Sequence, residues 1–233
     1  MKADAPAAPV VAIDGPSGAG KGTVAQEVAK RLGWHYLDSG ALYRVLALAA
    51  AARGLTEADP GVLGALAAAL EVEFVPRPGD VVGVRLGGRD VSAEIRSEEA
   101  GRAASRLAAL PAVREGLLAL QRRLRRPPGL VAEGRDMGTV VFPDAAAKIF
   151  LTASPEVRAR RRYKQLKDKG LDVTLSRLVE DIQARDRQDS ERAVAPLRPA
   201  EDALVLDSSE LDVAQVVERV LAAVKERLPA GGR

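Results

Sequence analysis

The stretch Val10-Val11-Ala12-Ile13-Asp14-Gly15-Pro16-Ser17-Gly18-Ala19-Gly20-Lys21 constrains the fold more than any other part of the chain. Its first four residues form a short apolar run that reads as a buried strand. After it, Val24, Ala25, Val28, Ala29 and Leu32 recur at helical spacing, and Gly33 supplies a C-terminal stop. Between strand and helix, Gly15 to Lys21 fit the G-x-x-x-x-G-K phosphate-binding pattern. Glycines let such a loop wrap its N–H groups inward around phosphate oxygens. The helix N-terminus adds partial positive charge, and Lys21 supplies a point charge. A plain glycine turn with an exposed lysine does not account for so many glycines ahead of one helix. One position departs from the general pattern. The residue after the lysine is Gly22, and Thr23 follows, so the hydroxyl that commonly meets Mg²⁺ is displaced by one. Either Thr23 contributes, or phosphates and water hold the ion.

The rest of the chain alternates strand and helix signals. Strands are expected at Trp34–Leu37, Leu130–Ala132, Lys148–Thr152 and Leu204–Leu206. Helices are expected at about Ala41–Arg53, Pro60–Leu70, Ser97–Arg126 with a break at Pro111, from Pro155 to near Gly170, Thr174–Ser190 and Asp212–Leu228. Ser154 before Pro155 is a good helix start, and the tail Pro229–Arg233 is expected to fray. The pattern is an α/β fold with a five-stranded parallel sheet flanked by helices. Val72–Val75 and Val81–Leu86, separated by Pro76-Arg77-Pro78-Gly79-Asp80, break the alternation. They predict a small inserted antiparallel subdomain at about 63–96. Ligands in parallel sheets gather at the carboxyl ends of strands, where the glycine loop, Asp38-Ser39 and the segment from Glu133 to Asp136 fall.

Composition removes several classes of function. The chain has no cysteine, which excludes disulfides, thiolate catalysis and Cys-based metal sites. Its single histidine, His35, rules out a multi-histidine metal cluster and reads as a surface or half-buried strand residue. It has no asparagine, so the Asn-Lys-x-Asp motif by which switch proteins read guanine cannot be present. Net charge is only +3, with arginine far ahead of lysine, and arginine suits a bidentate grip on phosphate. Aromatic residues make up 3%, which argues against base-stacking nucleic-acid binders. No signal-like apolar run opens the chain and no segment is long enough to span a bilayer, so the expectation is a cytoplasmic monomer without membrane or nucleic-acid partners.

Four segments together carry a specific resemblance. They are Gly15-Pro16-Ser17-Gly18-Ala19-Gly20-Lys21-Gly22-Thr23, Leu37-Asp38-Ser39-Gly40-Ala41-Leu42-Tyr43-Arg44, Glu133-Gly134-Arg135-Asp136-Met137-Gly138-Thr139-Val140-Val141-Phe142-Pro143 and Arg192-Ala193-Val194-Ala195-Pro196-Leu197. In this order they resemble the bacterial cytidylate kinases, over about Val10 to Leu228. The resemblance implies a P-loop kinase fold with a helical lid, one domain over 1–233, an acceptor region at 39–126 and the lid at 154–190. It implies transfer of a phosphoryl group from ATP, with Mg²⁺ as Mg-ATP, to CMP or dCMP. Gly15 to Thr23 with Arg158 and Arg161 would hold ATP, and Arg158, Arg161 and Arg162 would belong to the lid. Lys21, Arg135, Arg192 and Arg162 would act on the group in flight. Ser39, Tyr43 and Arg44 would line the monophosphate, Ser105, Arg114 and Asp136 would read cytosine, and Arg185 and Asp189 would hold the sugar.

The base reading has a physical side. Cytosine presents an exocyclic amino donor, for which a carboxylate such as Asp136 is the natural acceptor. Uracil places an acceptor there instead, and a buried polar contact discriminates strongly against the wrong partner. Bland readings stand beside these. Asp38 and Ser39 could only cap a helix. Arg114 could be a solvated helix residue, Asp189 and Arg192 a surface ion pair, and Arg135 with Asp136 a structural pair. The run Arg122-Arg123-Leu124-Arg125-Arg126 suits a solvated helix end. The functional alternatives are a kinase for UMP, AMP or a metabolite alcohol, and a nucleotide-dependent RNA-binding protein using the arginine runs.

Overall fold

A computed structural model describes residues 7–77, 82–168, 170 and 172–228. The expected frayed tail, and the start of the expected strand at Val81, lie outside these residues. In chain order the elements are β1 (Val10–Asp14), α1 (Lys21–Leu32), β2 (His35–Asp38), α2 (Ser39–Ala51), α3 (Pro60–Ala68), β3 (Val72–Val75), β4 (Gly83–Leu86), β5 (Arg89–Asp90), α4 (Glu98–Leu107), α5 (Pro111–Arg123), β6 (Leu130–Gly134), β7 (Ala147–Thr152), α6 (Pro155–Asp168), α7 (Leu175–Glu191), β8 (Leu204–Asp207) and α8 (Val213–Arg227). A 3₁₀ turn at Glu94–Arg96 and a π turn at Met137–Val141 complete the set. The five-stranded sheet has the order β2-β6-β1-β7-β8, and β3-β4-β5 form a separate three-stranded sheet. Register is parallel where β7 meets β1 (Ile13 opposite Ile149) and β8 (Leu151 opposite Leu206). The small sheet is antiparallel throughout. The five-stranded parallel sheet, its helices and the inserted antiparallel sheet therefore follow the sequence pattern.

Two compact units share the chain: residues 34–130 with Ala7 and Ala8, and Pro9–Gly33 with the described residues from Val131 onward. In the second unit all of β1 is buried, as are Val131 and Ala132 of β6 and Ile149 and Leu151 of β7. This is the continuous apolar character that parallel strands need when helices cover both faces. α8 starts with a reciprocal capping box between Asp212 and Gln215, and its Val216, Val217, Val220 and Val224 are buried. α6 begins where Ser154 Oγ accepts from Val157 N–H at 3.2 Å, as its sequence predicts.

In the first unit α2 starts two residues earlier than the apolar spacing suggests, because Asp38 caps it by accepting from Ala41 N–H at 2.8 Å. α4 and α5 are separate helices, with Pro111 in the first turn of α5. His35 donates from Nε2 to the Pro127 carbonyl at 2.9 Å and is half-buried, as expected of a strand residue. Phe74 of β3 meets Tyr36 of β2 edge to face, with ring centroids 5.9 Å apart. α3 and α5 cross at two glycines. A Cβ on Gly116 would stand 2.3 Å from the Gly64 carbonyl oxygen, and one on Gly64 would stand 2.7 Å from that of Ala112.

The crossing of α3 and α5 is therefore a backbone contact that no side chain can enter. Gly116→Ala is expected to push the helices apart and lower stability by about 1–3 kcal/mol, measured by urea unfolding. An unchanged midpoint would mean that the helices shift at no cost.

Candidate active site

The sequence-predicted residues fall into two groups, one in each unit. In the second unit, β1 delivers Asp14 to the mouth of the phosphate loop. Gly15 has φ +148°, and a Cβ there would lie 1.9 Å from the Leu151 carbonyl oxygen, so the loop runs against the backbone of β7. Lys21 is 6% exposed, and its Nζ donates to the Pro16 carbonyl at 2.8 Å, which curls the ammonium into the loop. Thr23 lies exposed on α1. Gly22 has a different neighbour: a Cβ built on it would be 3.1 Å from Glu133 Oε1. The hydroxyl missing at position 22 is thus matched by a carboxylate arriving from the end of β6, in space that a larger residue would contest.

The loop's outward-facing carbonyls are held by α6 and β8. Arg158 is 3% exposed. It donates to Ala153 O at 2.9 Å and to Ser17 O at 3.0 Å, and makes a bidentate pair with Asp186 of α7. Arg161 donates to Ser208 O at 2.6 Å and to Ser208 Oγ at 3.2 Å. Ser208, buried just past β8, bridges Ala19 O and Thr152 O through its hydroxyl. Arg158, grouped with the lid by sequence, is therefore a strut beneath the loop at the root of α6. Arg162, four residues further along α6, is half-buried. α7 buries none of its side chains completely.

Arg135, Arg185, Asp189 and Arg192 also gather in this unit. Arg135 Nε donates to Asp189 Oδ2 at 2.8 Å, and both side chains are largely buried. The sequence alone does not pair Asp189 with Arg135. Burial alone would raise the Asp189 carboxyl. The charge and hydrogen bond of Arg135, with the charges of Arg185 and Arg192, outweigh burial and hold it below its usual range. Arg192 itself turns its Nε onto Ala195 O at 2.5 Å, across a loop in which Ala195 takes φ +50°.

In the first unit the first two turns of α2 gather three predicted residues. Ser39 and Tyr43 are buried, and Arg44 is half-buried. Asp38 both caps the helix and pairs with Arg44 Nη2 at 2.7 Å across Gly40, where a Cβ would crowd both groups. Arg114 of α5 donates to the Tyr43 hydroxyl at 3.3 Å and to Ala108 O at 3.4 Å, so it is a half-buried bonded residue and not a solvated one. Ser105 is half-buried on α4.

Sequence reasoning missed Asp14, Glu133, Asp186 and Ser208. Asp14 is 5% exposed and accepts from Met137 N–H and Gly138 N–H, each at 2.8 Å. Burial pushes its carboxyl up to about 6, against the pull of those two amides and of Lys21, and the charge of Asp136 adds to the rise. A carboxylate ending an apolar strand was visible in the sequence; what it would meet was not.

The cytidylate kinase family profile matches residues 11–226. The chain is 59% identical to a cytidylate kinase of Methylococcus capsulatus over 217 residues, covering 93% of this chain and 97% of that one. It is 58% identical over 221 residues to a cytidylate kinase of Pseudomonas putida, covering 94% and 97%. It is 59% identical over 220 residues to one of Vibrio parahaemolyticus, with the same shares covered.

The Asp14 carboxyl gives the fold a pH dependence. Its folded value of about 6 lies above the ordinary 3.8, so between those values the folded chain holds a proton that the unfolded chain has released. Stability from this group is therefore greatest at acid pH and falls as pH rises through about 6. Asp14→Asn removes the titration. Between about pH 7.5 and pH 5 the wild type is expected to gain about 1 kcal/mol relative to the variant, read from urea unfolding at both pH values. A difference that does not change with pH would show that Asp14 titrates normally.

Proposed function

The chain belongs to the cytidylate kinase family, and we propose that it transfers the γ-phosphoryl group of ATP to CMP or dCMP, giving ADP and CDP or dCDP. The observation that carries this reading is the match over residues 11–226, which takes in the phosphate loop and all four diagnostic segments. The donor side rests on the loop. Its N–H groups and Lys21 suit the β- and γ-phosphates, and Arg158, Arg161 and Ser208 keep the loop's carbonyls turned away from them. On the acceptor side, Ser39, Tyr43 and Arg44 take the monophosphate. Ser105, Arg114 and Asp136 take the base, and Arg185 and Asp189 take the sugar.

The acceptor oxygen of a monophosphate is already anionic, so the reaction needs no general base. Catalysis is positioning and neutralisation of charge. This fits a chain whose single histidine is bonded to a backbone carbonyl. Arg135, Arg192, Arg162 and Lys21 are the cations for the group in flight. Arg135 stands ready beside Asp189, whose carboxylate fixes its direction. α6 and α7 form the lid, with Arg158 at its root and Arg162 further along. α7, with no fully buried side chain, has little to lose by moving, and closure excludes water from the transfer.

The residues present fit Mg²⁺. This ion takes one or two carboxylates together with substrate phosphates and keeps several waters. The Glu133 carboxylate against Gly22 offers a hard oxygen where the general motif has a hydroxyl, and Glu133 with Thr23 are the residues that would hold the ion. When bound it would neutralise charge on the bridging phosphates.

The test is ADP production with ATP, Mg²⁺ and each of CMP, dCMP, UMP, AMP and GMP. Turnover is expected mainly with CMP and dCMP, and to be lost in Lys21→Ala. Asp136→Ala is expected to lower kcat/KM for CMP roughly a hundredfold and to narrow the gap between CMP and UMP. Unchanged discrimination in that variant would sink the base-reading role of Asp136. Turnover with another monophosphate alone would overturn the substrate assignment.

A further inference from the structure

Three features of the second unit are left over once the transfer has been assigned to its residues: the buried Asp14 carboxylate, the five-residue π turn after β6, and the small residue at position 138. They meet at one place. The π turn Met137–Val141 is closed by Val140 N–H and Val141 N–H donating to Asp136 O, at 2.9 and 3.1 Å, and by Phe142 N–H donating to Met137 O at 2.7 Å. Its first amides have no partner inside the turn, as at any helical start. Asp14 takes two of them, one on each carboxylate oxygen: Met137 N–H on Oδ1 and Gly138 N–H on Oδ2. A Cβ on Gly138 would fall 3.2 Å from the aliphatic part of the Lys148 side chain and 3.5 Å from Asp14 Oδ2, so the turn lies close over both strands.

We propose that Asp14 is a positioning residue for acceptor recognition, and that through the Met137 and Gly138 amides it fixes the placement of Asp136. Asp136 immediately precedes the turn and is 5% exposed, and its own carbonyl closes that turn. The residue on the other side of Asp14 is Gly15, which is jammed against Leu151. One carboxylate thus ties the start of the phosphate loop to the segment that carries Asp136. Both oxygens are used, and the geometry is that of a fork. An asparagine of the same shape can accept one amide but would turn an NH₂ group toward the other. The charged groups that act on Asp14 are Lys21 of α1 and Asp136 itself. Lys148 of β7 contributes its methylenes here and its ammonium to Asp202.

This inference rests on the reading of Asp136 as the base-contacting residue, and its test separates the two. Initial rates are measured for wild type, Asp14→Asn and Asp136→Ala with CMP, UMP and varied ATP between about pH 5 and pH 8. The quantity read is the ratio of kcat/KM for CMP to that for UMP, in which the substrate phosphate's own titration cancels. Asp14→Asn is expected to reduce this ratio roughly tenfold near pH 7.5, with KM for ATP within about threefold of wild type. In the wild type the ratio is expected to fall as pH drops through about 6, where the carboxyl takes up its proton, and in the variant to stay level over that range.

Loss of discrimination in Asp136→Ala but none in Asp14→Asn would overturn the positioning role and leave the base reading intact. Unchanged discrimination in Asp136→Ala would remove the base reading on which the inference stands. Equal loss for ATP and CMP in Asp14→Asn would mean a merely structural residue. Should Asp14→Asn fail to fold, the wild-type protein still decides the matter. The amide proton resonances of Met137 and Gly138 and the CMP to UMP ratio are expected to titrate together, and a ratio that is flat while the amides titrate would overturn the proposal.

Discussion

The phosphate loop exists in its present form because Gly15 can press its backbone against that of β7. Only 1.9 Å separates the place of a missing Cβ from the Leu151 carbonyl oxygen, so every other residue type would force strand and loop apart. That contact sets the exit angle from β1, and with it where the amides of the loop point and where α1 begins. The same contact places Asp14, one residue earlier, at the carboxyl end of the central strand. A backbone position that admits no Cβ and a carboxylate raised by burial are thus neighbours, and both serve the route that the chain takes out of β1.

Carboxylates hold two of the second unit's arginines in place. Asp186 forks Arg158 beneath the loop, and Asp189 holds Arg135 by its Nε. A guanidinium loses much rotamer freedom when it first meets a phosphate. Pairing it in advance with a carboxylate spends that entropy on the fold and leaves the cation aimed. The lowered Asp189 carboxyl is the electrostatic record of this arrangement: Arg135 bonds to it, and the charges of Arg185 and Arg192 add to the pull against burial. In the proposed reaction a phosphate entering this cluster meets a field already organised, which is where catalysis of this kind gains most.

Much of the fold was readable in advance, for reasons that particular residues show. Val10 to Ile13 is uniformly apolar because parallel strands are covered on both faces, and Pro111 and Gly33 mark boundaries through backbone sterics alone. Local chemistry of this sort survives in the sequence. The two-residue strand Arg89–Asp90 and the π turn at Met137–Val141 did not show. The first is too short to establish a period, and the second depends on an acceptor 123 residues away, Asp14. The pairing of Arg135 with Asp189 is equally non-local, at 54 residues. Arg158 hides its role for the opposite reason. Its basic neighbours read as a lid over ATP, and nothing in that run singles out the one side chain that turns inward to Ser17 O and Asp186.

Asp14 shows where stability and chemistry diverge. A carboxyl whose value rises to about 6 is, at neutral pH, an anion held at a cost to the fold. An apolar residue in the same place would extend the core of β1 without that cost. It would leave the Met137 and Gly138 amides without acceptors, and each orphaned buried amide costs roughly 1–3 kcal/mol. It would also free the turn that carries Asp136. The anion therefore answers a geometric need: two amides converge on one point, and a carboxylate is the one side chain with two acceptor oxygens and no donor to oppose them. Where a chain keeps a buried charge of this kind beside its reaction site, the fold is arranged around the placement of that turn more than around its own stability.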